Sequence, residues 1–321
     1  GYRAVVLSAM GSYGAIVVGL IIIYPLRFII GSPIFFYNTL QGIMAWVLIA
    51  IALLMLATEK TRITDFGASG KLPSVIGMGF ALFVFILSGI FGLIVLDYEV
   101  TSPIGLNSPV LFPALAGLFG FPTLINSLMT EPVIPDQKIE KISLSEKGKK
   151  SSVISVITGS IAGIFVSIIP GITSATGTVI AMNAREGSDH EQTIVTLSSV
   201  NTASSFAVIL VLFIILRPRS GAAIAVNELI IIEEWLAISI PQMLSFLVIF
   251  IVLAGSLSYF FTIVIGRFFA RGFSKIPYTK LVAGTILMVG VLVFLFTGVV
   301  GILVLFVATS IGFIPVLWGV R

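Results

Sequence analysis

Long apolar runs separated by short polar segments dominate the chain. Eight of these runs are about 20 residues long, which is the length that a helix needs to cross the hydrocarbon core of a bilayer. The runs are continuous and do not alternate, so they predict helices and not the strands of a membrane barrel. The pattern therefore predicts an all-α, polytopic membrane protein with spans at 4–24, 39–57, 74–96, 110–129, 193–216, 243–265, 281–297 and 301–320.

One further apolar stretch, 151–182, does not fit a single crossing. It begins as an ordinary helix, is interrupted at Pro170-Gly171, and continues as a run of small and hydroxyl-bearing residues. A helix that breaks at membrane depth frees backbone groups, which protein or a water-filled cavity must then satisfy. The break is therefore a candidate binding site of the kind that discontinuous helices form in transporters.

Basic residues in the polar segments predict how the spans are oriented. Lys and Arg are concentrated in the loops after residues 57, 129 and 265, which the positive-inside rule places in the cytoplasm. Three single crossings between the second and third of these loops would put the third loop outside. If 151–182 enters and leaves the membrane on the same side, two crossings remain and the third basic loop is cytoplasmic, as its charge requires. Alternatively, a partial insertion of 229–240 would restore an even number of crossings. The loops therefore predict a re-entrant helical hairpin over 152–182, with both chain ends in the cytoplasm.

The longest polar segment, 130–151, divides the chain into two parts. It contains Pro132, Pro135 and mixed Lys and Glu residues, a composition typical of a solvated linker. We therefore expect an N-terminal membrane bundle over 1–129, a cytoplasmic linker over 130–151 and a C-terminal bundle over 152–321. Because the chain begins at Gly1 and stops directly after a span, we expect it to be a segment of a longer protein.

Composition narrows the chemistry. Charged residues make up 10% of the chain, whereas soluble domains carry about 25%. There is no cysteine and a single histidine, His190, which argues against thiolate or histidine-rich metal sites and against a catalytic triad. We expect no catalytic residue, metal or cofactor, and we assign the net charge of +4 to contacts with membrane lipids and not with nucleic acid.

Uncharged polar residues cluster around the Pro-Gly break. Most hydroxyls in membrane helices bond to carbonyls of their own helix, but this density beside a break points to a site. A half-helix that starts after the break offers free N–H groups and a positive dipole end, which suit a carboxylate or phosphate. The candidate substrate-binding residues are Pro170, Gly171, Thr173, Ser174, Thr176, Gly177, Thr178, Asn201 and Thr202.

Three stretches carry a resemblance to a known family. They are Gly159-Ser-Ile-Ala-Gly163 leading to Ile169-Pro170-Gly171-Ile172, the Pro- and Gly-rich segment 111–124, and the C-terminal segment 311–321. Together they resemble the large permease subunit of the tripartite tricarboxylate transporters, especially its archaeal relatives. The resemblance implies an inverted repeat of two related halves, each with its own Pro-Gly re-entrant motif. One copy is clear here, so we expect the first to lie upstream of Gly1.

The resemblance also implies a function. Such permeases are similar to carriers of citrate-like carboxylates driven by a Na⁺ or H⁺ gradient, with a small membrane subunit and a solute-binding protein as partners. The leading prediction is thus a secondary transporter of a small organic anion in the cell membrane. The alternative is a translocase for a lipid-linked phosphate such as a polyprenyl phosphate, which would hold the phosphate at the same hairpin. An intramembrane hydrolase is the enzyme-class alternative.

Overall fold

The computed structural model describes residues 2–31, 34, 36–59, 72–98, 100, 102–105, 110–130, 146–169, 172–183, 189–236, 239–272 and 277–319. Every regular element in these ranges is helical, and eight of the helices found there are long and apolar enough to cross a membrane. The prediction of an all-α, polytopic membrane protein is therefore confirmed. The elements are α1 (Tyr2–Ile30), α2 (Phe36–Thr58), α3 (Leu72–Val95), α4 (Leu111–Leu115), a π-helical segment (Ala116–Gly120), α5 (Phe121–Thr130), α6 (Glu146–Ile168), α7 (Ser174–Asn183), α8 (His190–Ile215), α9 (Gly221–Leu229), α10 (Gln242–Gly272) and α11 (Tyr278–Trp318).

The eight long helices are not the same eight segments that the sequence predicted. α6 is long enough to count as a span, and the predicted spans 281–297 and 301–320 correspond to the two halves of α11, which ends at Trp318. Gly298 interrupts α11 with a φ of 63° and a ψ of −157°, a backbone conformation that residues with a Cβ rarely adopt. The chain reverses direction there: Tyr278 contacts Ser127 and Phe296 contacts Phe112, so residues 278–297 run antiparallel to the segment 111–130, whereas beyond Gly298 the chain runs back along that segment, with Gly312 against Leu118. The boundary predicted between the last two spans therefore lies at a turn between two helices.

The chain forms two compact units. The first contains Gly1–Leu48 and Asp136–Phe273, and the second contains Ile49–Pro135 and Ser274–Arg321. Each unit combines residues from both sides of the polar segment 130–151, most of which lies outside the described residues. The predicted division of the chain at that segment stays a prediction.

Helices α6 and α8 of the first unit run in the same direction along a seam of small residues. A Cβ added at Gly159 would lie 2.8 Å from the backbone oxygen of Thr196. One turn later, a Cβ added at Gly163 would lie even closer to the backbone oxygen of Val200. Residue numbers thus rise together along both helices, which means that they are parallel. Glycine is required at such places because any side chain would hold the two backbones apart.

Helix α1 joins this parallel pair, and α10 packs against α1 in the opposite direction. Gly11 and Gly19 of α1 approach Val195 and Phe206 of α8, respectively. Gly255 of α10 contacts Ile16 of α1, and Gly266 of α10 contacts Val5. Of the most apolar 18-residue stretch of α8, 72% of the residues are buried, against 0% for the corresponding stretch of α10. Helix α8 is therefore the central helix of this unit, and α10 is at its periphery.

In the second unit, α11 packs against α3 and against the segment from α4 to α5. Gly117 in the π-helical segment lies against Ala308, and Gly312 lies against Leu118. The ring of Phe80 on α3 stacks on that of Trp318, with 4.4 Å between the ring centroids. Small residues again permit the close approach, as they do in the first unit.

Candidate functional site

Helices α6 and α7 form a helical hairpin. A Cβ added at Gly177 would lie 2.5 Å from Cγ2 of Val166 and 3.6 Å from the backbone oxygen of Ala162. Helix α7 therefore folds back along the last turns of α6. The helical hairpin predicted over 152–182 is confirmed. Pro170 and Gly171 lie outside the described residues, between the end of α6 at Ile168 and the beginning of α7 at Ser174.

The hairpin ends part-way along its neighbour α8. Gly163 is level with Val200 and Ala203, so Ile168 at the end of α6 is level with Phe206. From there α8 continues to Ile215, about nine residues or roughly 14 Å further at 1.5 Å per residue. The parallel course of α6 and α8 also requires the chain to return between them, which α7 does. This is the geometry expected of a re-entrant hairpin, and its depth in a bilayer stays a prediction.

A cavity of about 1110 Å³ lies beside the tip of the hairpin. Its lining comes from α1, the hairpin, α8, the loop after α8, the start of α9 and α10. Small-molecule sites in proteins usually measure about 300–1,000 Å³, so this cavity is large enough for a small organic anion with part of its hydration. The lining includes the hydroxyl groups of Ser12, Ser174, Thr202, Ser205 and Ser258.

Ser174 and Asn201 connect the first turn of α7 to α8. The hydroxyl of Ser174 donates a hydrogen bond to Oδ1 of Asn201, with 2.6 Å between the two oxygens. Because the side-chain oxygen of Asn201 is the acceptor, its NH₂ group remains a donor. Ser174 and Thr202 both line the cavity, and Asn201 is hydrogen-bonded to Ser174. The structure thus brings three of the predicted site residues together.

Thr173 and Thr176 lie at the N-terminal end of α7. The hydroxyl oxygen of Thr173 accepts a long hydrogen bond of 3.4 Å from the backbone N–H of Thr176 and lies 3.3 Å from the hydroxyl of Thr176. This is the arrangement of a helix N-cap, which satisfies one of the N–H groups that have no partner inside the helix. Thr173, which is exposed, therefore caps the first turn of α7.

Gly177 and Thr178 occupy the packed side of α7. Both are buried, and the hydroxyl of Thr178 donates to the backbone oxygen of Ser174 at 2.8 Å within the helix. Gly177 contacts Val166 of α6, where a larger side chain would not fit. Their placement suits the packing of the hairpin, and the substrate-binding role predicted for them stays a prediction.

Arginine residues at the cavity were missed by the sequence reasoning. Arg217 and Arg219 follow the end of α8 and line the cavity. The guanidinium of Arg219 donates to the backbone oxygen of Ile168 at the end of α6 and to the hydroxyl of Tyr37, the latter at 3.0 Å. The sequence did contain an indication of their role. Both arginines follow a span on the side that the positive-inside rule assigns to the exterior, where Lys and Arg are less common.

Comparison with known proteins identifies the family of this chain. The whole chain, residues 1–321, matches the tripartite tricarboxylate transporter TctA family. The chain belongs to that family. It is also 29% identical over 230 residues to an uncharacterized protein of Methanocaldococcus jannaschii, a match that covers 71% of this chain and 51% of the relative. The chain thus spans about half the length of that relative. No solved structure matches the chain.

Membership of the TctA family confirms the resemblance stated from the sequence, and the structure gives physical reasons for parts of it. Gly159 and Gly163 form the seam between α6 and α8. The segment 111–124 contains the π-helical segment, whose Gly117 packs on α11. Gly312, in the C-terminal stretch, contacts Leu118 of that same region. The quoted motifs therefore lie where helices of one unit approach each other most closely.

Proposed function

We propose that this TctA-family protein is a secondary-transporter permease that carries a small organic anion with carboxylate groups through the cavity beside the hairpin. The observation that supports it best is the cavity itself. It is lined by hydroxyl groups and by the first turn of a broken helix, within a unit made of apolar helices. The lining is mostly apolar with a few polar groups, which is the usual composition of a small-molecule site. Nothing in the described residues favours a lipid-linked phosphate translocase or a hydrolase.

The first turn of α7 is the proposed binding point for one carboxylate. A helix N-terminus combines free backbone N–H groups with the positive end of the helix dipole. The hydroxyl of Ser174 lies at this end and lines the cavity, and its bond of 2.6 Å to Asn201 holds the two polar side chains in one place. These groups bind a carboxylate without placing a fixed charge on the hairpin.

Coupling to Na⁺ fits the described lining better than coupling to H⁺. Proton coupling requires a side chain that gains and loses a proton, and no Asp, Glu or His is present among the described residues that line the cavity. Sodium is instead held by carbonyl oxygens, which a broken helix supplies near the substrate. We further propose a location in the cell membrane with both ends of the chain in the cytoplasm, and assembly with a small membrane subunit and a solute-binding protein.

Uptake into proteoliposomes tests this function. The full-length protein is reconstituted together with its partner subunits, and accumulation of labelled citrate is measured with and without a Na⁺ gradient. Replacing Ser174 by Ala or Asn201 by Leu removes groups at the proposed carboxylate site, so KM should rise about tenfold or more, the effect of losing a hydrogen bond to a charged group.

The matched control is Ser256→Ala. The hydroxyl of Ser256 on α10 bonds to the backbone oxygen of Val252 in its own helix, at 2.8 Å, and does not line the cavity. It should leave KM unchanged. The proposal is wrong if the wild-type protein accumulates no carboxylate anion, or if Ser174→Ala and Asn201→Leu behave like the control.

A further inference from the structure

The loop that follows α8 carries positive charge back to the tip of the hairpin. Arg217 and Arg219 flank Pro218, and all three line the cavity together with Ser220, the N-cap residue of α9. The bond from Arg219 to the backbone oxygen of Ile168 places its guanidinium at the level of the tip. That level lies roughly 14 Å below the end of α8. One wall of the cavity is therefore cationic.

In the part of the chain that the structure describes, no anion compensates these two charges. Among the described residues that line the cavity, Arg217 and Arg219 are the only charged ones, and neither forms an ion pair with a described residue. Arg219 contacts only neutral groups there, which are the Ile168 carbonyl and the hydroxyl and ring of Tyr37, with its Cζ 5.2 Å from the ring centroid. Its Nε is buried and has no hydrogen-bond partner among the described residues.

Arg219 is partly buried and Arg217 is exposed, so the burial of a cation without an ion-pair partner concerns Arg219. Ionisable groups inside membrane proteins are costly and usually pair with an opposite charge. Here the charges also lie directly before the N-terminal end of α9, where the helix dipole disfavours cations. On the orientation predicted from the loops, the arginines are also on the outer side, so they do not serve as positive-inside signals. An anionic ligand in the cavity would offset both the partial burial of Arg219 and the unfavourable dipole of α9.

We propose that Arg217 and Arg219 bind a second anionic group of the transported molecule, so that the cavity selects organic anions with at least two carboxylates. The first carboxylate binds at the N-terminal end of α7, and the second binds at the arginines across the same cavity. The planar guanidinium presents two parallel N–H donors that match a carboxylate. This inference rests on the proposed transport function and names the residues that set its preference for ligand charge.

The test compares three probes that differ in the number of carboxylates: citrate, succinate and acetate. Uptake is measured in proteoliposomes of neutral lipid for the wild type, Arg217→Gln, Arg219→Lys and Arg219→Gln. We expect KM for citrate and succinate to rise between about tenfold and about a hundredfold in the two Gln variants. Uptake of acetate, which cannot reach both points, should be equally poor in all proteins. Arg219→Lys keeps the charge but loses the paired donors, so it should be intermediate.

Arg217→Gln keeps the test valid if Arg219→Gln does not fold. Arg217 is exposed and has no hydrogen bond or ion pair with a described residue, so its loss should leave the fold intact. A merely structural effect would lower uptake of every probe by the same factor, whereas the proposal requires a change in the ratio of citrate to acetate. An unchanged ratio in Arg217→Gln and Arg219→Lys, in a protein whose wild type takes up citrate, overturns the inference and leaves the transport function standing.

A lipid headgroup is the other source of the same anionic chemistry, and a second arm separates the two. Thermal unfolding of the wild type and Arg217→Gln is recorded in neutral nanodiscs with added citrate, and in nanodiscs that contain anionic lipid without citrate. Stabilisation by citrate that Arg217→Gln weakens supports the proposal. If anionic lipid alone produces the arginine-dependent stabilisation, the arginines bind a headgroup and the proposal is wrong. If the wild type takes up no carboxylate at all, it is the transport function that fails.

Discussion

Replacing Gly159 by Ala should destabilise the first unit because there is no room for a methyl group between α6 and α8. The added Cβ would lie 2.8 Å from the backbone oxygen of Thr196 and 2.9 Å from Cβ of Ser199, whereas ordinary contacts begin at 3.4 Å. Neither atom is the end of a flexible side chain, so the helices themselves must separate by about 0.6 Å. A gap of that size removes a quarter or more of the dispersion attraction of each contact along the seam.

The free-energy cost of this clash can be isolated with a matched variant, Gly79→Ala. Gly79 lies in the helical span α3, is exposed, and has no atom within 4 Å of an added Cβ. Both Gly→Ala changes reduce the backbone freedom of the unfolded chain and improve helix propensity by about 0.5–1 kcal/mol. The difference between the two variants therefore reports the clash alone, which overpacking data put at about 1–3 kcal/mol.

The assay is unfolding in mixed micelles, titrated with SDS and followed by circular dichroism. We expect Gly79→Ala to unfold at the same or a higher fraction of SDS than the wild type, and Gly159→Ala to unfold at a lower fraction. A second change, Ser199→Gly, should not restore Gly159→Ala fully, because the backbone oxygen of Thr196 remains in the way. If Gly159→Ala is as stable as Gly79→Ala, then α6 and α8 do not approach as described, and the register that places the hairpin tip is wrong.

Three further predictions follow from the contacts of the hairpin and its surroundings. Gly177→Ala should lower thermal stability in detergent, and Val166→Ala should rescue it, because the clash at Gly177 is with a side chain at 2.5 Å and not with backbone; no rescue would contradict this. Thr173→Val should cost only about 0.5 kcal/mol of unfolding free energy, the lower end of N-cap effects, since its bond is 3.4 Å long; Thr173→Ser should cost nothing. Arg3→Gln should cost less than about 1 kcal/mol despite the ion pair with Glu191 at 2.6 Å, because the two side chains are 54% and 37% exposed; a larger loss would show a role beyond a surface pair.

The hairpin could be predicted because its signals lie in the sequence itself. Pro170-Gly171 interrupts an apolar run locally, and the charges of the loops impose a count of crossings on the whole chain. These two constraints are independent, and together they leave few topologies. The parallel course of α6 and α8 agrees with the predicted number of crossings, because the chain must return between them.

The packed glycines could not be identified in the same way. Gly159 and Gly79 both lie in apolar helices and look alike in the sequence, yet one is enclosed by α8 and the other is exposed. Which face of a membrane helix meets a neighbour depends on tertiary register, because both faces are apolar.

The position of Arg217 and Arg219 at the cavity was missed because it depends on the difference in length between α6 and α8. Sequence reasoning places Arg217 and Arg219 after the end of α8, at a surface, where charges need no partner. The structure brings Arg219 to Ile168 because the loop turns back towards the shorter hairpin. Only the register between α6 and α8 shows that the hairpin leaves space for it.

That difference in length leaves space for the cavity and for its two proposed binding points. The residues concerned, Ile172 and Ser174 of the hairpin and 217–220 after α8, come from separate segments of the chain. They face one cavity because α8 continues about nine residues beyond the tip of the hairpin, and these residues span roughly 14 Å. A hairpin as long as α8 would fill this space, and a shorter α8 would leave Arg219 without its contact at Ile168. If the two binding points act as proposed, the length of α8 relative to α6 is a structural requirement for recognising a ligand with two anionic groups.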